Sequence, residues 1–171
     1  MTSGLSSATN SAALVADHDV VVDASDNFPT RYLVNDACTL ADTPFTHGAI
    51  YRFEGQATTV VPDGPCYRCL FPEAPPAGTV PDCATTGVLG ALPGVVGGIQ
   101  ATEALKLLLD DGEPLVGRLA YYDAMAMTLE TVPYRAAPDC PVCGDQPAID
   151  AVDAGRYEGS CAIDDASVDA D

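Results

Sequence analysis

Residues 19–34 read DVVVDASDNFPTRYLV, and this stretch decides the fold class. It opens with a β-branched run that ends in carboxylates, which is typical of a short buried strand in a parallel sheet. Asp26 or Asn27 then suits the N-cap of a helix, a proline follows in the first turn, and apolar residues recur at helical spacing. The stretch predicts a strand over residues 19–24 and a helix that ends before Pro44.

More elements follow along the chain. We expect strands over residues 45–53, 56–61, 119–123 and 127–134 and a long helix over residues 95–109. Glu54 and Gly55 are predicted to form the tight connection between the first two of these strands. Because strand, helix and strand succeed one another within about 30 residues, the pattern is a βαβ unit, and the predicted fold class is α/β.

The first strand raises a local conflict. It is apolar on both faces, so it needs a helix above and below it and a strand on either side. Only eighteen residues precede it. Elements that should cover and pair with this strand therefore have no counterpart in the sequence.

Charge and composition exclude several classes of function. The 171 residues carry 7 Lys and Arg against 25 Asp and Glu, a net charge of −18. Such a surface disfavours nucleic acid and anionic membranes as partners, and it is typical of proteins from a high-salt cytoplasm. The N-terminus has no secretory signal, and the uncharged stretch 83–102 is interrupted by glycines, which favours a core helix over a membrane span. We expect a cytoplasmic protein.

Two C-x-x-C motifs indicate a metal site. Cys66 and Cys69 form the first, and Cys140 and Cys143 form the second. Two such pairs complete a closed tetrahedral zinc site, which is structural because four thiolates leave no position for water. The alternative is two unrelated thiol pairs or redox disulfides. Turn-forming Gly and Pro residues beside both motifs favour zinc.

Carboxylates mark the end of the first strand. Asp23 and Asp26 lie at the carboxyl end of a predicted parallel strand, where open α/β sheets bind their ligands. A carboxylate there can hold Mg²⁺ on nucleotide phosphates. The alternative is that Asp26 only caps the helix. Arg31, one turn later, either reaches a phosphate or pairs with Asp26 or Asp36.

Cys83 stands apart from the two motifs, before a segment that leads into the long helix. A thiolate near a helix N-terminus is stabilised by the helix dipole, as a nucleophile requires. The alternative is an ordinary small loop residue. His18 and His47 have no motif around them, so a histidine-based triad finds no support.

Together these motifs resemble the ubiquitin-activating-enzyme-like adenylyltransferases, the MoeB/ThiF/HesA family. The resemblance is carried by DNFPTR at 26–31, GAIYRFEGQ at 48–56, PCYRC at 65–69, CATTGV at 83–88, GIQATEALK at 98–106, YDA at 122–124 and CPVC at 140–143. It is strongest to the activators of molybdopterin synthase and of small archaeal modifiers. The fold it implies is the C-terminal part of a doubly wound, Rossmann-like domain with a mixed sheet and paired zinc knuckles.

The resemblance also implies an activity. Members of this family use ATP and Mg²⁺ to adenylate the C-terminal glycine of a ubiquitin-like, β-grasp carrier protein that serves molybdopterin, thiamine or tRNA thiolation. It implies that Asp26 binds magnesium and phosphate, with Asn27 and Arg31 at the nucleotide, and that the four motif cysteines bind zinc. Residues 71–82 match a crossover loop over the carrier's tail, and Cys83 matches a cysteine that some members use for a thioester or persulfide.

One part of the family pattern is missing. The glycine-rich nucleotide loop and the phosphate-binding cations have no counterpart here, so residues 1–144 match a partial domain and residues 145–171 an acidic, flexible tail. We therefore expect adenylation by the chain alone to be impaired. A second copy of the chain, or a separate polypeptide carrying the missing half, is an expected partner. The alternative function is a non-catalytic, zinc-stabilised binding or sulfur-relay module.

Overall fold

A short strand at the edge of a mixed sheet leads directly into a capped helix, as residues 19–34 predict. In the computed structural model, which describes residues 8–76 and 86–157, this strand is β1 (Val21–Asp23). The helices are α1 (Ala8–Ala16), α2 (Phe28–Leu40), α3 (Tyr67–Leu70) and α4 (Leu92–Leu109), and the further strands are β2 (Phe45–Tyr51), β3 (Glu54–Val60), β4 (Arg118–Asp123) and β5 (Thr128–Pro133). A 3₁₀ turn covers Ala154–Arg156.

The strands of the described residues form one sheet in the order β1-β2-β3-β4-β5. β1 runs parallel to β2, with Asp23 opposite His47, and the remaining neighbours are antiparallel. The parallel pair joined through α2 confirms the βαβ unit, and the antiparallel strands make the sheet mixed.

Helices cover both faces of the sheet. Because side chains alternate along a strand, Phe45 and His47 of β2 share the face that packs against α2 and the α3 segment, whereas Gly48 faces α4. The core on the first face joins α1, α2, β2 and β3 to both cysteine motifs. It extends to Ile149, which is 7% exposed. This two-sided cover is the predicted α/β arrangement.

The connection between β2 and β3 differs from the prediction. Glu54 and Gly55 belong to β3, and the turn is formed by Arg52 and Phe53, with Arg52 at a positive φ of 51°. Gly55 is needed for a close approach, because a Cβ atom there would lie 2.6 Å from Cγ2 of Val96. The glycine that suggested a turn therefore lets α4 pack on the sheet.

β1 is the edge of the sheet in the described part of the chain, and its second side carries no strand there. Val22 in the middle of this strand is 52% exposed. An open groove of about 960 Å³ runs beside the strand and is lined by parts of α1, β1 and the start of α2. The unpaired strand that the sequence implies is thus present.

Residues 145–157 contact the second cysteine motif and α2. The main-chain N–H groups of Ala148 and Ile149 both donate to the carbonyl of Pro141 over 2.9 Å. The hydroxyl of Tyr157 donates to Oδ2 of Asp36 over 2.7 Å.

A membrane crossing needs a long apolar helix, and no helix in residues 8–76 or 86–157 meets that requirement.

Candidate functional site

Four cysteine thiols meet at one point of the fold. Sγ of Cys66 lies 3.9 Å from that of Cys69 and 3.5 Å from that of Cys140, and Sγ of Cys69 lies 3.4 Å from that of Cys143. Four sulfurs around one tetrahedral zinc ion are separated by about 3.8 Å when each Zn–S bond is about 2.3 Å. The two motifs, 74 residues apart, therefore form one group that could hold a metal ion.

Local turns shape each cysteine motif. The N–H of Cys69 donates to the carbonyl of Cys66, and that of Gly144 donates to the carbonyl of Cys140, each over 3.0 Å. Gly144 has no room for a side chain, since a Cβ atom would lie 2.6 Å from the carbonyl oxygen of Pro138. The N–H of Ala137 points at Sγ of Cys69 over 3.4 Å. These contacts aim both thiols of each motif at the same point.

The thiols share protons unequally. Hydrogen bonding to Cys143 and Cys69 raises the pKa of Cys66, whereas hydrogen bonds with Cys143 and Cys66 lower the pKa of Cys69. Such a group binds a cation as its thiols lose their remaining protons.

A buried ion pair fixes the first cysteine motif to α2. Arg68 donates through Nε and Nη2 to the two carboxylate oxygens of Asp36, each over 2.7 Å. The adjacent Asn35 accepts the N–H of Tyr67 through Oδ1 over 2.8 Å. Asp36 therefore pairs with Arg68. The pairing of Arg31 with Asp36, one of the alternatives drawn from the sequence, is wrong.

The turn after β1 presents Asp26 to solvent. Asn27, not Asp26, is the N-cap of α2, because its Oδ1 accepts the N–H of Thr30 over 2.9 Å. Asp26 accepts a hydrogen bond from the Asn27 amide over 3.0 Å and is exposed. The capping alternative for Asp26 is thus wrong, and its carboxylate remains accessible to a ligand.

Arg31 stabilises the same turn. Its Nε and Nη2 atoms donate to the carbonyl oxygen of Ser25 over 3.4 and 3.3 Å, and its guanidinium lies 5.2 Å from the ring centre of Phe28. Among the described residues it forms no ion pair with Asp26, which was one of the alternatives considered for it. The interaction with Ser25 places a positive charge beside the Asp26 turn.

A small cavity of about 260 Å³ lies between this turn, β2 and the first half of α4. Asp26 and Arg31 are among the residues that line it. Its remaining walls are mostly small or apolar, formed by Ala24, Ser25, Gly48, Ala49, Ile50, Pro93, Val96, Gly97 and Gln100. A cavity of this size, lined by small or apolar residues with one carboxylate and one guanidinium, has room for a small group or a narrow segment of chain.

Two residues that the sequence analysis did not single out support the turn. Gln100 of α4 donates from Nε2 to the carbonyl oxygen of Asp23 over 2.7 Å. His47 of β2 bonds through Nδ1 to Oδ2 of Asp23 over 2.7 Å. The alternating pattern of β2 could have shown that His47 shares a buried face with Phe45, but not that Asp23 lies opposite it.

Cys83 lies outside the described residues, as do residues 77–82 of the predicted crossover loop. The described part of that loop, residues 71–76, begins at Phe71, whose carbonyl oxygen accepts the hydroxyl of Tyr32 over 3.0 Å. The Asp26 turn and the cysteine cluster are thus the two predicted sites that can be placed.

The sequence matches the model of the ThiF family over residues 2–142. It is 70% identical over 155 residues to a SAMP-activating enzyme E1 of Haloferax volcanii, a match that covers 91% of this chain and 57% of the relative. It is 51% identical over 161 residues to a sulfur carrier protein adenylyltransferase of Thermus thermophilus, which covers 90% of this chain and 58% of the relative. The chain therefore spans less than three-fifths of the length of either relative. The Haloferax relative agrees with the high-salt prediction.

Solved structures share the fold at low sequence identity. A crystal structure of E. coli MccB with MccA-N7isoASN superposes with a TM-score of 0.70 at 19% identity, covering 84% of this chain and 46% of that one. At this identity the likeness concerns the fold alone. It confirms the mixed sheet with helices on both faces.

Proposed function

The chain belongs to the ThiF family, and we propose that it forms part of an ATP-dependent adenylyltransferase that activates the C-terminal glycine of a ubiquitin-like sulfur-carrier protein. Its two relatives are described as enzymes that activate or adenylate a small modifier or sulfur carrier. The observation that carries the proposal is the exposed Asp26 carboxylate, which lines a cavity of about 260 Å³ together with Arg31.

In this proposal Asp26 holds the Mg²⁺ ion of Mg·ATP, and Asn27 orients the Asp26 carboxylate through its amide. The ion neutralises charge on the phosphates when bound. Arg31, held against Ser25, supplies a positive charge next to them. The walls of the cavity admit a glycine tail because Gly48, Ala49 and Gly97 add little bulk.

The reaction proceeds by displacement at phosphorus. A carboxylate oxygen of the carrier's terminal glycine attacks the α-phosphorus of ATP, and an O–P bond forms. The bond from the α-phosphorus to the bridging oxygen of the β-phosphate breaks, and pyrophosphate leaves with the electron pair. This chain positions the reacting groups and stabilises the charge that develops on the phosphates, and these two effects account for most of the catalysis of such a transfer.

Adenylation by these 171 residues alone is expected to be weak. Among the residues that line the cavity, Arg31 is the single cation. The proposed assembly therefore includes a further polypeptide that contributes phosphate-binding cations. The free edge of β1 and the groove of about 960 Å³ beside it fit a strand and a helix from such a partner.

A second copy of the chain is the other proposed partner. The outer side of α4 exposes Leu105 and Leu109 at 55% and 72%. β5 at the far edge of the sheet exposes Leu129 at 59%. Exposed apolar side chains of this size favour a protein contact.

We propose zinc as the metal of the four-cysteine cluster, in a structural role. The sulfur separations fit a tetrahedral ion, and four thiolates leave no open position for catalysis. We assign the chain to the cytoplasm, where reduced thiols are maintained.

Cys83 is proposed as the acceptor in a later step. Its thiolate sulfur would attack the carbonyl carbon of the acyl-adenylate, an S–C bond would form, and AMP would leave with the electrons of the C–O bond. Replacing Cys83 by Ala should abolish the thioester product and leave adenylation intact. A Cys83→Ala variant that still forms the product would remove this residue from the reaction.

ATP–pyrophosphate exchange tests the main proposal. The chain would be assayed with Mg²⁺ and a β-grasp carrier ending in glycine, alone and with a polypeptide that covers the part of its relatives that this chain does not match. We expect exchange in the assembled enzyme, lowered roughly 10²–10³-fold by Asp26→Asn. Asp150→Asn, an exposed acidic residue away from the cavity, is the control.

Two outcomes would contradict the proposal. Exchange that is insensitive to Asp26→Asn would remove this carboxylate from the chemistry. An assembled complex that binds the carrier yet exchanges no pyrophosphate would favour the alternative, a zinc-stabilised binding or sulfur-relay module.

A further inference from the structure

A buried histidine and a buried carboxylate form a pair directly beneath the Asp26 turn. His47 and Asp23 are partners in the register of the parallel strands β1 and β2. Their side chains are 0% and 2% exposed, and Nδ1 of His47 lies 2.7 Å from Oδ2 of Asp23. Two ionisable groups removed from water to this extent interact strongly.

The Asp23 carboxylate connects this pair to the turn. Its second oxygen, Oδ1, accepts the main-chain N–H of Ser25 over 3.0 Å. One carboxylate oxygen thus bonds to β2, and the other fixes the residue that immediately precedes Asp26. Any rotation of the Asp23 side chain would break the bond to Ser25, and the bond from His47 prevents that rotation.

The short strand β1 needs the bond between His47 and Asp23 to hold its carboxyl end in place. β1 has three residues and pairs on one side in the described part of the chain, whereas β2 has seven and pairs on both sides. An edge strand of this length gives its carboxyl end little rigidity by itself. His47 transfers the rigidity of β2 to the end of β1, at the point where the chain leaves the sheet for the site.

The state of the pair at neutral pH is a neutral imidazole next to a carboxylate. Burial lowers the pKa of His47 and outweighs the opposing effect of Asp23. Burial alone would raise the pKa of Asp23, but the hydrogen bond from His47 and its bonds with Ser25 lower it. Asp23 is therefore the acceptor, and the single imidazole proton must lie on Nδ1.

The other ring nitrogen agrees with this tautomer. Nε2 of His47 is buried and has no hydrogen-bond partner among the described residues. A bare lone pair without a partner is less costly there than an N–H group would be. The ring packs against Tyr67, with the ring centres 4.7 Å apart, and this contact holds the imidazole plane.

We propose that His47 is a positioning residue, which acts through the Asp23 carboxylate to fix the Ser25–Asp26 turn in the conformation that presents Asp26. The effect of this positioning on catalysis rests on the proposed function of Asp26. The positioning itself is measurable without any activity.

The test follows the main-chain amide of Ser25 by NMR in ¹⁵N-labelled full-length chain. His47→Leu, which removes the donor, should speed exchange of the Ser25 amide about tenfold, the equivalent of one lost hydrogen bond of about 1.4 kcal/mol. His47→Asn, whose side-chain N–H₂ replaces Nδ1–H, should restore slow exchange. His47→Gln, whose amide occupies the position of Nε2, should not.

Thr46→Val is the matched control. Thr46 is equally buried on β2, and its hydroxyl has no partner among the described residues. This variant should change the overall free energy of unfolding. It should not change how strongly the Ser25 main-chain amide is protected from exchange relative to the other amides. In the assembled enzyme, His47→Leu should raise KM for Mg·ATP and His47→Asn should restore it.

Several results would overturn the inference. Unchanged Ser25 exchange in a folded His47→Leu variant would do so. If that variant does not fold, equal Ser25 exchange rates in His47→Asn and His47→Gln would overturn the inference instead. Imidazole ¹⁵N chemical shifts that place the proton on Nε2 in the unmodified chain would also overturn it. Faster Ser25 exchange in His47→Leu, together with pyrophosphate exchange that is insensitive to Asp26→Asn, would support the positioning role of His47 and contradict the proposed function.

Discussion

The side-chain amide of Gln100 donates to the main-chain carbonyl oxygen of Asp23 over 2.7 Å. The same nitrogen lies 3.3 Å from the carbonyl oxygen of Thr46. One residue of α4 thus joins β1 and β2 from the face opposite His47. The end of β1 is therefore held from both sides of the sheet, by Gln100 through the main chain and by His47 through the Asp23 side chain.

Gly48→Ala should break the Gln100 interaction. A Cβ atom at position 48 would lie 2.8 Å from Cγ1 of Val96 and closer still to the Gln100 amide. We expect a loss of about 1–3 kcal/mol in the free energy of unfolding, as for other overpacked sites. Gly94→Ala is the control, since open space surrounds a Cβ atom there. Gly94→Ala should stabilise the helix by about 0.5–1 kcal/mol. Equal changes in the free energy of unfolding of the two variants, measured by denaturant titration, would contradict the proposed overpacking at position 48.

Cys140→Ser should remove the metal. We expect elemental analysis to find one zinc per unmodified chain and much less than one in the variant, with a lower Tm. Cys38→Ala is the matched control, because Cys38 is buried in α2 and lies outside the cysteine cluster. A full zinc complement in Cys140→Ser would show that the ion binds elsewhere.

Glu103→Ala should destabilise the contact between α4 and the segment before β4. The Glu103 carboxylate is buried and accepts from the hydroxyl of Thr59 over 2.8 Å and from the N–H of Leu115, and it pairs with Lys106 over 2.6 Å. Its removal leaves a buried hydroxyl and a buried N–H unpaired, at a cost of about 2–4 kcal/mol. Chemical denaturation should show this loss. The exposed Glu113→Ala should stay within about 0.5 kcal/mol of the unmodified chain, and comparable losses in both variants would count against the network.

Acid should destabilise the fold through the pair beneath the Asp26 turn. Burial lowers the pKa of His47 in the folded chain below its ordinary 6.5, so the unfolded chain binds this proton first. Stability should therefore decrease as the pH falls below 6.5, by up to about 1.4 kcal/mol per pH unit from this residue. The lowered pKa of Asp23 contributes stability above its ordinary 3.8, which is lost below it. The slope below pH 6.5, measured in constant high salt, should be shallower in His47→Asn, and an identical slope would exclude His47 as its source.

The sequence predicted features that depend on local pattern. The cap of α2 and the parallel pairing of β1 with β2 follow from residue types at short spacings. The two C-x-x-C motifs lie 74 residues apart, and their meeting was predictable because a closed zinc site needs four ligands. The ThiF resemblance rested on the same motifs and is confirmed by the family match over residues 2–142.

Features that depend on contacts between distant elements were not predictable. Gly55 suggested a turn, because a glycine needed for helix packing looks the same in sequence as one needed for positive φ. His47 carried no motif, since its partner lies 24 residues away on another strand. Tyr157 reaches Asp36 across 121 residues. Pairings of this range are set by the tertiary fold.

The four-cysteine cluster has a further consequence for folding. An ion held there closes a loop of 70 residues between Cys69 and Cys140, which contains α4 and the β4–β5 hairpin. The two motifs come together at one point when the chain folds, so the complete set of four ligands is available to an ion in the folded chain. Because the ion would bind the folded chain in preference to the unfolded one, the free energy of unfolding should rise with the logarithm of free metal concentration once that concentration exceeds the dissociation constant. The persistence of this protein in the cell would then follow the availability of the metal, independently of its substrates.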